Sequence, residues 1–191
     1  MVVHKPDETK SRGQYMPLLE MSVKEDPSCP RNAFYYAREL TYYSRWEEAI
    51  VALEHYLNMP EANWRNERAY AMRLIGDSYD ALGQDGMEWY RKGVAEDPTV
   101  RETWIALSSA ASRRKLWAES YGAAVSALAI TETNYSYTAT PDSFSAKPYD
   151  LAALSAYYLG LKEEAIKYGE KAAELEPTNE RLKQNLEFYR N

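Results

Sequence analysis

The chain has 191 residues, 45% of them hydrophobic and 27% charged, enough for one sizeable folded domain or an array of short repeats. A net charge of −6 disfavours a nucleic-acid partner, whose affinity rests on Lys and Arg neutralising phosphates, and a single cysteine, Cys29, excludes an intramolecular disulfide and leans towards a reducing compartment. The first residues carry no signal-peptide core and no apolar run approaches the ~20 residues of a membrane helix, so a soluble, cytoplasmic protein with no membrane partner is expected.

Residues 1–14 are polar and are expected to be a flexible N-terminal segment. Residues 15–27 predict one helix. Pro17 suits its first turn, where a missing N–H costs nothing, and Leu18, Leu19, Ser22 and Val23 share a face. Residues 31–60 predict two amphipathic helices joined by a tight turn. The first carries Phe34, Tyr36, Ala37 and Leu40, the second Ala49, Leu53 and Tyr56. Ser44 and Glu47 have capping-box spacing, so Ser44 is expected to accept from a backbone N–H while Glu47 reaches back.

Residues 66–98 repeat the pattern with Met72, Ile75, Gly76, Tyr79 and Leu82, then Gly83 as a left-handed cap. Asp85 to Glu88 can cap a short second helix bearing Gly86, Tyr90 and Gly93, which Asp97-Pro98 stops. Residues 99–130 open on a second capping box, Thr99 with Glu102. Trp104, Leu107, Ser108 and Ala111 line the first helix, and Trp117, Ser120, Ala124 and Ala127 the second. Residues 131–147 are rich in Thr, Ser and Tyr without helical periodicity and predict a loop insertion, a length that is often functional or disordered. Residues 148–177 give a further pair, with Pro148 at the start, Ala152, Ala153 and Ala156 inside, Gly160 at the turn and Ala165 and Ala172 in the second helix. Residues 178–190 predict a last helix with Leu182, Leu186 and Tyr189 on one face.

Small Ala37, Gly76, Ser108 and Ala153 recur at equivalent places with spacings of 39, 32 and 45. Small residues at such positions let two helices approach closely while large neighbours fill the gaps. The pattern resembles the tetratricopeptide repeat (TPR), a helix–turn–helix unit of ~34 residues. Leu19 and Leu53 stand 34 apart, so residues 15–27 read as half a repeat. The resemblance covers about residues 15–190 and implies an all-α fold: a single domain, 15–191, forming a right-handed solenoid closed by the capping helix 178–190. Such units stack because none can bury its apolar face alone.

Catalytic signatures are lacking: no phosphate-binding glycine loop, GxSxG, HExxH or Cys/His cluster occurs. His4, His55 and Cys29 read as ordinary polar positions. Glu47-Glu48 and Glu163-Glu164 read as helix starts, where negative charge meets the dipole. Asn134 to Ser136 matches a glycosylation acceptor that a cytoplasmic protein would not use. No catalytic residue, cofactor or metal is expected.

In TPR arrays the first helices line a concave groove where ligands bind. Carried over, the exposed first-helix positions are Phe34, Tyr35, Arg38, Thr41 and Tyr42; Arg73, Asp77 and Asp80; Glu102, Ile105, Ser109 and Arg113; Asp150, Leu154, Tyr157 and Tyr158. Aromatics mixed with Arg and Asp suit a protein or peptide segment held by stacking and charge pairs. The alternative is a solvated face, or one filled by the chain's own 131–147 loop. Modules that clamp a carboxylate tail use Lys, Asn and Arg at set first-helix positions; here those positions read Phe34, Arg38 and Arg73 and the Asn residues are absent, so that specialised reading fails, while Arg38, Arg73 and Arg113 leave an attraction for an acidic segment open.

A narrower resemblance rests on HKPDETKSRGQYMPLLEMSVKEDPSCPRNAFYYARELTYYSRWEEAIVALEHYL, on NWRNERAYAMRLIGDSYDALG and on PYDLAALSAYYLG. These are similar to the repeat region that follows the catalytic domain of bacterial or phage family 2 glycosyltransferases. The resemblance implies an accessory, non-catalytic region that positions an acceptor or mediates assembly, with a glycosyltransferase catalytic domain as partner and any activity outside this chain. The partner's identity and the oligomeric state stay open at this level.

Overall fold

The computed structural model describes residues 13, 15–132 and 137–191. The expected flexible segment 1–14, Gly13 apart, and the Asn134 acceptor motif fall outside the described residues. Ten α-helices are described: α1 Tyr15–Glu25, α2 Pro30–Tyr42, α3 Trp46–Leu57, α4 Arg65–Ala81, α5 Met87–Glu96, α6 Arg101–Arg113, α7 Trp117–Ala129, α8 Lys147–Tyr158, α9 Lys162–Leu175 and α10 Glu180–Arg190. The described residues contain no strand. Each helix packs on the next in the chain. The backbones of the first helices also come close to one another, α2 to α4, α4 to α6 and α6 to α8, whereas those of α3, α5, α7 and α9 stay apart and meet only through side chains such as Arg91 and Glu119. That asymmetry puts α2, α4, α6 and α8 on the inner side of the stack.

The turns inside the four pairs are built alike. Ser44, Gly83, Lys115 and Gly160 sit at φ 56, 72, 58 and 76°, in the left-handed region. In each turn that residue's N–H donates to a carbonyl three back, and the next N–H donates to one five back: Ser44 to Thr41 (3.1 Å) and Arg45 to Leu40 (3.0 Å) in the first turn, Gly83 to Asp80 (3.0 Å) and Gln84 to Tyr79 (2.9 Å) in the second. Lys115 and Leu116, and Gly160 and Leu161, repeat this bond for bond. These are Schellman closures, which satisfy carbonyls left over at a helix end. Gly83 behaves as its sequence predicts. Ser44 does not: it ends α2 rather than capping α3, whose N-cap position is Arg45 and lacks a side-chain cap. A left-handed Ser44 closes the preceding helix, and Arg45 instead pairs with Glu48 at 2.7 Å.

The turns between pairs follow a second rule. Asp26 Oδ1 accepts from the Ser28 N–H (3.2 Å) and hydroxyl (2.8 Å), and Asp97 Oδ1 accepts from the Thr99 N–H (3.1 Å) and hydroxyl (2.6 Å). Thr99 is thereby used up locally, and the N-cap position of α6 falls to Val100 with no side-chain bond. The second capping box is therefore also absent. Glu47 and Glu48 stand in the first turn of α3 and Glu163 and Glu164 in that of α9, as helix starts. Met87 N–H does bond Asp85 (3.1 Å) at the start of short α5.

Close contacts fix the register. A Cβ on Gly86 would lie 2.3 Å from the Gly76 carbonyl oxygen, and one on Gly76 would meet the Tyr90 ring at 3.0 Å, so α4 and α5 approach as only glycine permits. Across α6 and α7, Ser108 and Ser120 each donate to the other's backbone carbonyl, at 2.9 and 3.0 Å, and Ser155 of α8 donates to Ser120 Oγ at 2.7 Å. This buried hydroxyl chain satisfies its own polar atoms, which is what allows serine in the core. The largest apolar cluster joins Phe34, Leu53, Tyr56, Leu74 and Ile75. At the far end α10 covers the last pair, placing Leu182 and Tyr189 in the core. No helix among the described residues is long and apolar enough to cross a membrane.

Candidate functional site on the inner face

The segment between α7 and α8 folds back across the inner face. Tyr137 packs against Phe34 (6.2 Å between centroids), Tyr35 (5.9 Å) and Trp64 (5.6 Å), and its hydroxyl donates to Glu67. Thr138 Oγ1 donates to Asn66 Oδ1 at 2.5 Å, and the Thr140 N–H donates to Glu102 at 3.3 Å. After a single 3₁₀ turn, Pro141–Phe144, the chain enters α8. The Phe144 ring lies under Arg101 at 4.3 Å, and Arg101 Nη1 donates to the Ile130 carbonyl at 2.7 Å. The segment thus runs over the starts of α4 and α6.

The groove positions expected from sequence divide into three groups. Those of α2 surround the segment. Phe34 is fully buried rather than exposed, because α2 turns it between Tyr56 (5.2 Å) and Tyr70 (5.8 Å). Thr41 is also buried, its hydroxyl donating to the Arg38 carbonyl at 2.6 Å. Arg38 lies 4.7 to 6.0 Å from the ring centres of Tyr35, Tyr137, Phe34 and Tyr42, and its Nε has no hydrogen-bond partner. Tyr42 is half exposed.

The second group converges. Arg73, Asp77, Glu102, Ile105, Ser109 and Arg113 line one cavity of about 250 Å³ on the inner face, closed on its other side by Thr140, Asp142, Ser143 and Lys147, and Glu102 and Ile105 are buried rather than exposed because the segment before α8 lies over them. Its wall carries three cations and three carboxylates. Arg73 Nε and Ser109 Oγ have no partner. Asp77 accepts from the Tyr90 hydroxyl at 2.7 Å. Asp80 does not line the cavity and is not free for a ligand. It accepts from Arg113 (2.6 Å), from Arg114 and from the Gly86 N–H (3.2 Å). Burial pushes its carboxyl up, but these donors outweigh that and hold it below the ordinary carboxylate value.

The third group, on α8, is spent on packing. Asp150 is paired with Arg181 at 2.8 Å, Tyr157 packs on Phe188 (5.0 Å) and Tyr189 (5.3 Å) of α10, and Tyr158 stacks flat on Trp117 at 4.1 Å. The capping helix claims the face that an open repeat would offer. Leu154 is half-buried and joins neither cluster. Sequence reading did not single out Trp64, Asn66, Glu67, Tyr137, Asp142 or Lys147. For Tyr137, Asp142 and Lys147 the signal was the low charge and the Thr, Ser and Tyr content of 131–147; for Trp64, Asn66 and Glu67 there was none. No cluster of His, Cys, Asp and Glu able to hold a metal occurs among the described residues. His55 is exposed and Cys29 half-buried at the N-cap position of α2.

No family model matches the chain, and no curated protein is similar to it in sequence. Solved structures are similar in fold. YrrB, a TPR protein with an unusual peptide-binding site, superposes with a TM-score of 0.65 at 13% identity, over 90% of this chain and 81% of that one. MamA gives 0.67 at 16%, over 94% and 99%, and the pilF protein of Pseudomonas aeruginosa 0.66 at 13%, over 90% and 70%. The fold is therefore the all-α, right-handed TPR solenoid with its C-terminal capping helix.

Proposed function

We propose that the chain is a non-catalytic scaffold that binds a protein or peptide segment on its inner face, at the cavity between α4, α6 and the start of α8. The observation that carries this is the make-up of that cavity. Arg73, Arg113 and Lys147 share the wall of its roughly 250 Å³ with Asp77, Glu102 and Asp142, with Arg73 Nε and Ser109 Oγ lacking partners. Such a wall suits an extended chain, which brings backbone donors, acceptors and side-chain charges of both signs. The peptide-binding site named for YrrB is a property of that protein and adds only that the fold can do this.

The test is a quantitative pull-down from source cells with wild-type bait and with Tyr42→Ala and Arg73→Ala combined. Partners lost from the variant, with an unchanged melting temperature, are expected. An identical set of captured proteins would remove this cavity from consideration. The acidic balance of the chain supports a partner other than nucleic acid, and a cytoplasmic setting is part of the same proposal. The accessory-region reading, with a family 2 glycosyltransferase catalytic domain as partner, rests on sequence resemblance and gains nothing from the comparisons. Blotting source-cell extract for a species well above 22.0 kDa that carries nucleotide-sugar transfer would revive it.

A further inference from the structure

The contacts of Tyr137 are those of a ligand in a pocket. Three rings, Phe34, Tyr35 and Trp64, border its ring, and Arg38 stands 5.6 Å from its centre. Its hydroxyl donates to one oxygen of Glu67, a carboxylate that is only 9% exposed. The other Glu67 oxygen accepts from Tyr56 at 2.7 Å. Yet Tyr137 itself is 43% exposed, and an open cleft of about 510 Å³ lies beside it, lined by Pro30, Tyr35, Glu61, Trp64 and Glu67. The residue is thus open to solvent on one side and covers Phe34 and Glu67 on the other. Displaced, it would leave a buried carboxylate oxygen short of a donor, beside rings short of a partner. An aromatic side chain bearing a hydroxyl answers both needs, and phenylalanine answers one.

We propose that Phe34, Tyr35, Arg38, Trp64 and Glu67 form a tyrosine-reading subsite of the inner face, that Tyr137 is its resident occupant, and that a tyrosine-bearing partner segment binds by displacing it. The proposal rests on the inner face being the binding surface. The neighbouring bond from Thr138 to Asn66 sets the preference one residue further, for a hydroxyl side chain after the tyrosine. The occupant is tethered, so it competes at an effective concentration of about 1 mM. If the resident segment's own intrinsic Kd is about 0.1 mM, that competition weakens binding of any external segment roughly tenfold, since only the open fraction can bind.

The probe is a fluorescent peptide of residues 137–146, YTATPDSFSA, titrated by anisotropy. Tyr137→Ala protein is expected to bind it roughly tenfold more tightly than wild type. A peptide with phenylalanine for its tyrosine is expected to lose about tenfold or more on the same variant, because the hydrogen bond to a carboxylate goes unmade. Arg38→Ala in the Tyr137→Ala background should weaken binding again. Tyr137→Phe, which keeps the ring, serves if Tyr137→Ala melts too low, and should show a smaller gain over wild type. Equal affinities for wild type and variant, equal affinities for the two peptides, or no binding to either protein would each overturn the subsite. If that happens while partner capture still depends on Arg73, the inner-face reading stands without it. If the peptide behaves as expected while Arg73 proves irrelevant to capture, the cavity reading fails and the subsite stands.

Discussion

The four matched turns allow one stability argument to be tested against itself. Ser44 and Lys115 hold left-handed φ where Gly83 and Gly160 do the same without a side chain. An L-residue in that region costs roughly 1–2 kcal/mol. Placing glycine there returns about 0.5–1 kcal/mol to the unfolded chain as extra freedom. The net expectation for Ser44→Gly or Lys115→Gly is a gain of roughly 0.5–1 kcal/mol. Neither side chain has a hydrogen bond to lose, and both are exposed. The two turns lie in different helix pairs, so the double variant should gain roughly 1–2 kcal/mol by simple addition. At roughly 2–4 °C per kcal/mol for a chain of this size, that is a rise of about 2–8 °C in Tm. Urea unfolding followed by circular dichroism is the assay, with the midpoint moving and the slope constant. The reciprocal pair, Gly83→Ala and Gly160→Ala, should lose about 1 kcal/mol each. A Cβ at either site meets nothing within 4 Å, so backbone strain alone is measured. A glycine at 44 or 115 that lowers the midpoint, or an alanine at 83 or 160 that leaves it unchanged, would refute the shared left-handed geometry.

Packing should be far less tolerant between α4 and α5. Gly86→Ala puts a carbon against the Gly76 backbone oxygen and is expected to cost about 3 kcal/mol, read as a lower urea midpoint. Ser120→Ala removes bonds to Ser108 and Ser155 at once and should cost about 1–2 kcal/mol, with Ser126→Ala as an exposed control near zero. Asp80 is an acid-sensitive node. Its carboxyl is depressed in the folded chain, so its contribution is present above the unfolded value near pH 4 and is lost as pH falls through the folded value. Asp80→Asn should flatten the fall in Tm below about pH 4 and cost roughly 2 kcal/mol at neutral pH, where Arg113 and Arg114 lose their charged partner.

The helices were readable because each pair repeats one arrangement of small and large residues. Ala37, Gly76, Ser108 and Ala153 are all buried. The helix ends were read less well. Ser44 with Glu47, and Thr99 with Glu102, have the spacing of a capping box, but spacing does not say which helix a turn residue serves. Ser44 closes the helix before it, and Thr99 bonds the aspartate before the proline. The inner face was half legible. Arg73, Asp77, Ser109 and Arg113 share a cavity because successive first helices present the same turn of the spiral. Phe34 was misplaced because a one-position rotation of α2 separates groove from core. Asp150, Tyr157 and Tyr158 went to α7 and α10, contacts that no single repeat contains. Tyr137 and Glu67 are seventy residues apart, with no local pattern linking them.

Burial of phenols has a consequence at the opposite end of the pH scale. Tyr56, Tyr90, Tyr137 and Tyr189 are all pushed above the ordinary 10.0, chiefly by burial, with nearby carboxylates adding to it. Above pH 10 the unfolded chain sheds these protons while the folded chain keeps them, so alkali progressively favours unfolding. Ionised phenols absorb ultraviolet light that neutral ones do not. In strong base the collapse of the solenoid would therefore announce itself as a step in absorbance, its height counting the tyrosines that had been shielded and its position dating the moment their shelter failed.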